Sequence, residues 1–142
     1  MNDNIGLLEA VAENTEMGKN TLEQLIPMAS DEAFRAELQR EQDGYHRLNQ
    51  RAHVAMAESG GCVRGQSGWA KANTKMGIAM ETLRDKSTGK LAEMLVEGSN
   101  QGVMDCVKSR KEFPSASPEA MALSGELEAF QQKNIEALKR FL

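Results

Sequence analysis

Both histidines and the only tyrosine of the chain fall within residues 41–53, EQDGYHRLNQRAH, together with Glu41 and Asp43. Imidazole and carboxylate groups are common protein ligands of iron and zinc, so this stretch is a candidate metal site. The same side chains also occur on ordinary half-exposed helices. The choice between a metal site and an ordinary helix depends on which face of its helix each of these side chains occupies.

Motifs for other kinds of chemistry are missing from the sequence. It has no Gly-x-Ser-x-Gly nucleophile motif. Cys62 and Cys106 match no zinc or redox spacing. The glycine-rich stretch GGCVRGQSG does not match a phosphate-binding loop, and no apolar strand precedes it, which indicates a connection between helices. We therefore expect a protein that is not an enzyme.

Composition indicates one helical domain. A chain of 142 residues suits a single domain. Apolar residues make up 40% but aromatic residues only 4%, with nine methionines, and a core of Leu, Ala and Met favours helices over sheets. The net charge of −4, without a basic stripe, predicts no nucleic-acid partner. Because no apolar run approaches ~20 residues and the start lacks signal-peptide features, we also expect no membrane partner and a cytoplasmic location.

Apolar side chains recur at alternating steps of three and four along five segments, which predicts five helices. Ser30 is expected to cap the second helix, and Ser117, followed by Pro118, the last. In chain order, the predicted helices A to E cover residues 4–28, 30–60, 66–85, 88–112 and 118–142. The predicted stripe of helix A consists of Leu8, Val11, Thr15, Gly18, Leu22 and Leu25. That of helix B consists of Phe34, Leu38, Glu41, Tyr45, Leu48, Ala52 and Ala55, and that of helix E of Ala120, Leu123, Leu127, Phe130, Asn134, Leu138 and Phe141.

Short connections make successive helices antiparallel neighbours. We therefore expect an all-α fold in which residues 5–112 form a four-helix bundle and residues 118–142 add a helix. Helix D carries a second apolar face, at Val96, Val103 and Val107. Either helix E or a second copy of the chain should cover this face, because monomers rarely expose large apolar patches. The sequence thus predicts a binding or assembly module that forms a homo-oligomer, most simply a dimer.

The side chains on the main stripe of helix D are unusually small. Small residues let a neighbouring helix approach closely, at some cost in helix propensity. Cys106 is expected to be a small core residue of this stripe. The stripe consists of Leu91, Leu95, Gly98, Gly102 and Cys106.

Polar residues interrupt the stripes of four helices, at Thr15, Glu41, Asn73 and Asn134. Such residues either fix the register of neighbouring helices or line a polar pocket in the middle of the bundle. Glu41 is the most informative of them, since a buried carboxylate is costly unless it is paired. Its expected partners are Lys19 and Tyr45, and its pKa should rise if neither pairs with it.

Two long antiparallel helices, a glycine-rich connection and two further helices, with the pattern LQREQDGYHRLNQRA in helix B, resemble the ferritin-like superfamily. Within it, the chain resembles bacterial ferritin-like families known only as domains of unknown function. The resemblance covers about residues 5–112. It implies a bundle whose metal-binding members hold two irons with a Glu on two helices and a Glu-x-x-His on the other two.

By this resemblance, the candidate metal ligands are Glu16, Glu41, His46 and Glu97. Helix B lacks Glu-x-x-His, and helix D has Asn100 where the histidine would stand. We therefore expect no intact di-iron centre and no cofactor, with both histidines half-exposed on flanks of helix B. The alternative is a protein that binds iron at a degenerate or mononuclear site around His46.

Overall fold

The computed structural model describes residues 2–60 and 83–142, which form four α-helices and no strand. In chain order these are α1 (Asp3–Leu25), α2 (Glu32–Glu58), α3 (Thr88–Glu112) and α4 (Pro118–Lys139). For this part of the chain, the predicted all-α class is confirmed. The predicted helix C, with Asn73, lies outside the described residues, as does Cys62. No described helix has the length and apolar character needed to cross a membrane.

Polar side chains cap the first turn of each described helix: Asn2 for α1, Asp31 for α2, Ser87 for α3 and Ser117 for α4. The expected cap at Ser30 is wrong by one residue. Asp31 accepts the hydrogen bond of the Phe34 N–H at 2.9 Å, and its charge also suits the positive end of the helix.

The first helix ends three residues earlier than predicted. Regular α-helix stops at Leu25, and Ile26–Met28 form a 3-10 turn that contains Pro27. Proline has no N–H to donate and its ring clashes with the preceding turn of an α-helix, which accounts for the change of geometry.

The described helices pack as two antiparallel pairs, α1 with α2 and α3 with α4. Near the start of α1, Asn4 donates a hydrogen bond to Ser59, just past the end of α2, at 2.9 Å. Helix α4 also packs on α1 and α2, and α3 packs on α1. The apolar stripe of α4 is thus buried within its own chain. The predicted extra helix is part of the core.

Most residues of the predicted stripes are buried, as expected from their periodicity. On α1 and α2, the stripe residues that are fully or almost fully buried include Leu8, Val11, Leu22, Leu25, Phe34 and Leu38. On α3 and α4, they include Leu91, Cys106, Leu123, Leu127 and Leu138. Gly98 is an exception, because it is exposed although it lies on the predicted stripe of α3.

Candidate functional site

A groove of about 1210 Å³ runs between α1 and α3. Its α1 wall extends from Ile5 to Leu25, which is about 30 Å at the rise of an α-helix. Apolar side chains line much of it, among them Ile5, Ala10, Met17, Leu22, Met94 and Leu95. Gly98 widens the groove on the α3 side, since a Cβ added there would meet no atom within 4 Å.

Acidic side chains dominate the charged residues that line this groove. Among the described residues of its walls, the carboxylates are Glu9, Glu13, Glu97, Asp105 and Glu112, and the one basic residue is Lys108. Partial burial and the nearby charge of Glu9 raise the pKa of Glu13. Like charges are therefore close enough to repel one another, and a cation in the groove would relieve this repulsion.

A hydrogen-bonded polar layer at the floor of the groove joins all four described helices. Gln131 on α4 donates from Nε2 to the Tyr45 hydroxyl of α2 at 3.0 Å and to Oδ1 of Asn14 on α1 at 2.8 Å. Asn14 in turn donates to the carbonyl oxygen of Gly102 on α3 at 3.1 Å. Ser99 of α3 bonds to the Tyr45 hydroxyl. Burial raises the pKa of Tyr45 to about 12, so this hydroxyl remains neutral and available as a donor.

Glycines make room for this layer. A Cβ at Gly102 would lie 2.2 Å from Nε2 of Gln131, and one at Gly18 would lie 2.6 Å from the ring of Tyr45. In the histidine-bearing stretch, Gly44 faces the ring of Phe130, which packs edge-on against Tyr45 with ring centroids 5.0 Å apart. The glycine in the middle of α2 therefore serves close packing of α4 onto α2.

Glu41 lies next to the polar layer and is not part of it. Its side chain is 1% exposed, yet it lines the groove, and its Oε2 has no hydrogen-bond partner. Leaving a buried polar atom unsatisfied costs about 1–3 kcal/mol. Neither expected partner satisfies it: Lys19 pairs with Glu16 at 3.7 Å, and the hydroxyl of Tyr45 bonds with Gln131 and Ser99 and not with Oε2 of Glu41.

The partner of Glu41 is a second carboxyl group, that of Glu37 one turn earlier on α2. Burial, and then the hydrogen bond to Glu37 and the charge of Glu37, raise the pKa of Glu41, so that Glu41 carries the shared proton. Burial alone would raise the pKa of Glu37 too, but hydrogen bonds to Glu41 and Arg40 bring it below its ordinary value. Arg40 also donates to Oδ1 of Asn134 at 2.9 Å, which ties this cluster to α4.

The four candidate metal ligands do not come together as one site. Glu41 and Glu97 both line the groove, but Glu16 lies half-buried beside Lys19 and His46 is exposed on α2. In residues 2–60 and 83–142, no group of three or more His, Cys, Asp or Glu side chains could hold a metal ion. His53 is half-buried, so the two histidines lie on the flank and outer side of α2, close to their predicted placement.

Periodicity alone missed three members of the polar layer, Asn14, Ser99 and Gln131. For Gln131 a signal existed, because it stands four residues after Leu127 and three before Asn134, at a stripe position that was assigned to Phe130. In the structure Gln131 is buried and Phe130 is half-buried. No family model, curated protein or solved structure matches this chain.

Proposed function

We propose that this protein is a binding module whose α1–α3 groove takes an amphipathic helix of a partner protein. The observation that carries the proposal is the groove itself, with the apolar side chains that line much of it and its length of about 30 Å along α1. Grooves of this kind receive the apolar face of a helix, with anchoring side chains at steps of three and four residues. A helix of about 20 residues matches the length of the groove.

Charge indicates which kind of helix fits. In the part of the chain that the structure describes, the walls carry five carboxylates and one lysine in addition to Glu41, so a helix with basic residues on either side of its apolar face complements them. A second copy of this chain is a poorer match, because its net charge is −4. The preferred partner is therefore a basic amphipathic helix.

The binding proposal is tested with a designed peptide of about 18 residues, long enough for five helical turns. It carries leucines along one face and lysines on both flanks, with a fluorescent label for anisotropy measurements at low ionic strength. We expect it to bind at least about tenfold more tightly than the same peptide with glutamates in place of the lysines, because the acidic walls attract one and repel the other.

Two matched glycine variants locate the binding site. Gly98→Leu fills the groove, whereas Gly125→Leu, on α4, adds the same side chain at another helical position where a Cβ meets no atom within 4 Å. Both changes favour the helix by up to about 1 kcal/mol. We expect Gly98→Leu to weaken peptide binding at least about tenfold and Gly125→Leu to leave it unchanged.

Two results would overturn the proposal. In one, neither peptide binds the unmodified protein. In the other, Gly98→Leu lowers the melting temperature of the free protein while Gly125→Leu does not, which would mean that the groove is already filled within the chain. The melting temperature of both variants is therefore measured before any peptide is added.

For the fold, we also propose the ferritin-like topology of residues 5–112. Its support is the length of α1, α2 and α3, which have 23, 27 and 25 residues, and the packing of α1 against both α2 and α3. The function proposed here does not depend on the iron chemistry of that superfamily, because it uses the groove and not a set of metal ligands.

A further inference from the structure

In the described part of the chain, two buried side-chain atoms lack a hydrogen-bond partner, Oε2 of Glu41 and Nδ2 of Asn134. Only Glu41 lines the groove. The neighbouring polar groups of the floor bond to one another: Gln131 donates to Tyr45 and Asn14, and Asn14 donates to the carbonyl oxygen of Gly102. The unsatisfied oxygen is therefore an acceptor for a group that enters the groove.

We propose that Glu41 anchors the bound helix by accepting a hydrogen bond from a lysine ammonium that projects from the apolar face of that helix. This inference rests on the proposed function and names the chemistry of its central contact. A lysine suits the position because its methylene stem can pack along the apolar walls while the ammonium reaches the polar floor.

The charges around Glu41 favour a cation over a neutral donor. Glu37 and Arg40 form an ion pair beside Glu41, with an N–O distance of 2.5 Å, so they offset each other. Arg40 also donates a hydrogen bond to Asn134, and it donates none to Oε2 of Glu41. The carboxylates on the walls add negative potential along the path by which the ammonium enters.

A double-mutant cycle tests this contact. Two versions of the lysine-flanked peptide are compared, one with a lysine and one with norleucine at the central position of the apolar face. Each is titrated into the unmodified protein and into Glu41→Leu, which removes both carboxyl oxygens while Glu37 keeps its hydrogen bond from Arg40. We expect the unmodified protein to prefer the central lysine by at least about tenfold, and Glu41→Leu to reduce this preference to about twofold or less.

Glu97→Gln is the control, since Glu97 is an exposed carboxylate on the same groove. It should weaken both peptides by a similar factor, because it changes the general attraction and not the central contact. A preference for lysine that survives in Glu41→Leu overturns the anchor but leaves the proposed function standing. Failure of every peptide to bind the unmodified protein overturns both. Binding of the norleucine peptide to Glu41→Leu shows that this variant is folded.

Discussion

At the scale of single residues, the structure shows how a carboxyl group is kept inside a helical bundle. Glu41 is almost fully buried, and a charged carboxylate there would need a cationic partner. Its hydrogen-bonded neighbour is the carboxyl group of Glu37, whose own charge is balanced by Arg40. Glu41 therefore keeps its proton, and Glu37 remains ionised.

This arrangement predicts a specific dependence of stability on pH. The pKa of Glu41 is raised in the folded chain, so the folded chain holds a proton that the unfolded chain releases above about pH 4.5. Its contribution to stability is complete below that pH and is lost as the pH rises towards the folded-state pKa. We expect the unfolding free energy of the unmodified protein to fall relative to that of Glu41→Gln, by up to about 1.4 kcal/mol per pH unit.

Urea unfolding of both proteins between pH 5 and pH 9 measures this difference. The lowered pKa of Glu37 does not interfere, because the stability that it contributes is lost only as the pH falls below its unfolded value of about 4.5. Unfolding free energies that run parallel for the two proteins across this range would contradict a protonated Glu41.

The sequence predicted part of this residue-scale chemistry. It identified Glu41 as a buried acid whose pKa rises when Lys19 and Tyr45 do not pair with it, and that direction is confirmed. It did not identify Glu37 as the partner. Both carboxyls lie on one helix face, four residues apart, but periodicity cannot tell that α4 covers this face and buries Glu37 to 8% exposure.

At the scale of helices, small residues decide how closely the elements pack. Gly18 on α1 faces the ring of Tyr45 on α2, and the hydroxyl of that tyrosine is held by Gln131 from α4. Tyr45 therefore cannot move aside without breaking the polar layer. The close approach of α1 and α2 at this level requires a residue without a side chain.

Gly18→Ala should consequently destabilise the protein, although alanine favours the helix by about 1 kcal/mol. The new Cβ would lie 2.6 Å from the tyrosine ring, and overpacking of this kind costs about 1–3 kcal/mol. Gly125→Ala is the matched control, because a Cβ there meets no atom within 4 Å and the change should stabilise. Urea midpoints compare the two variants, and equal stabilisation by both would show that Tyr45 yields easily.

Periodicity predicted which helices exist better than it predicted how they are arranged. The stripes placed Phe34, Leu38 and Leu127 in the core, where they lie. The stripes do not show which helices pack against each other. They therefore predicted the last helix as an addition to the bundle, whereas it packs on the other three described helices. The sequence did not predict the groove either. Gly98 fits the stripe of α3 as a small residue, and only the positions of α1 and α3 show that it faces open space.

At the scale of the whole molecule, residues 2–60 and 83–142 offer less apolar surface for self-association than the sequence indicated. The stripe of α4 is covered within the chain, and Val103 and Val107 on α3 are half-buried. Met104, between them in sequence, is 47% exposed. Among the described residues, what remains of the predicted dimer interface is therefore this outer part of α3.

The dimer remains a prediction, and light scattering measures it directly. We expect a mass of twice 15.6 kDa, reduced to 15.6 kDa by Val103→Glu, because an unpaired charge buried in an interface is costly. Val54→Glu, at a valine that is 58% exposed on α2, controls for the added charge and should leave the dimer intact. A mass of 15.6 kDa for the unmodified protein would show that the chain does not associate through α3.

The burial of Cys106 allows the opening of this bundle to be measured by the rate at which the thiol reacts. The thiol is 3% exposed, its sulfur lies 3.7 Å from Nδ2 of Asn14, and burial raises its pKa to about 11. Because only the thiolate reacts readily, alkylating reagents should modify this sulfur only when the helices separate. In a variant with Cys62→Ser, the rate of alkylation of Cys106 therefore measures how often the bundle opens. A helix bound in the groove beside α3 would slow that rate in proportion to its occupancy, without any label on the partner.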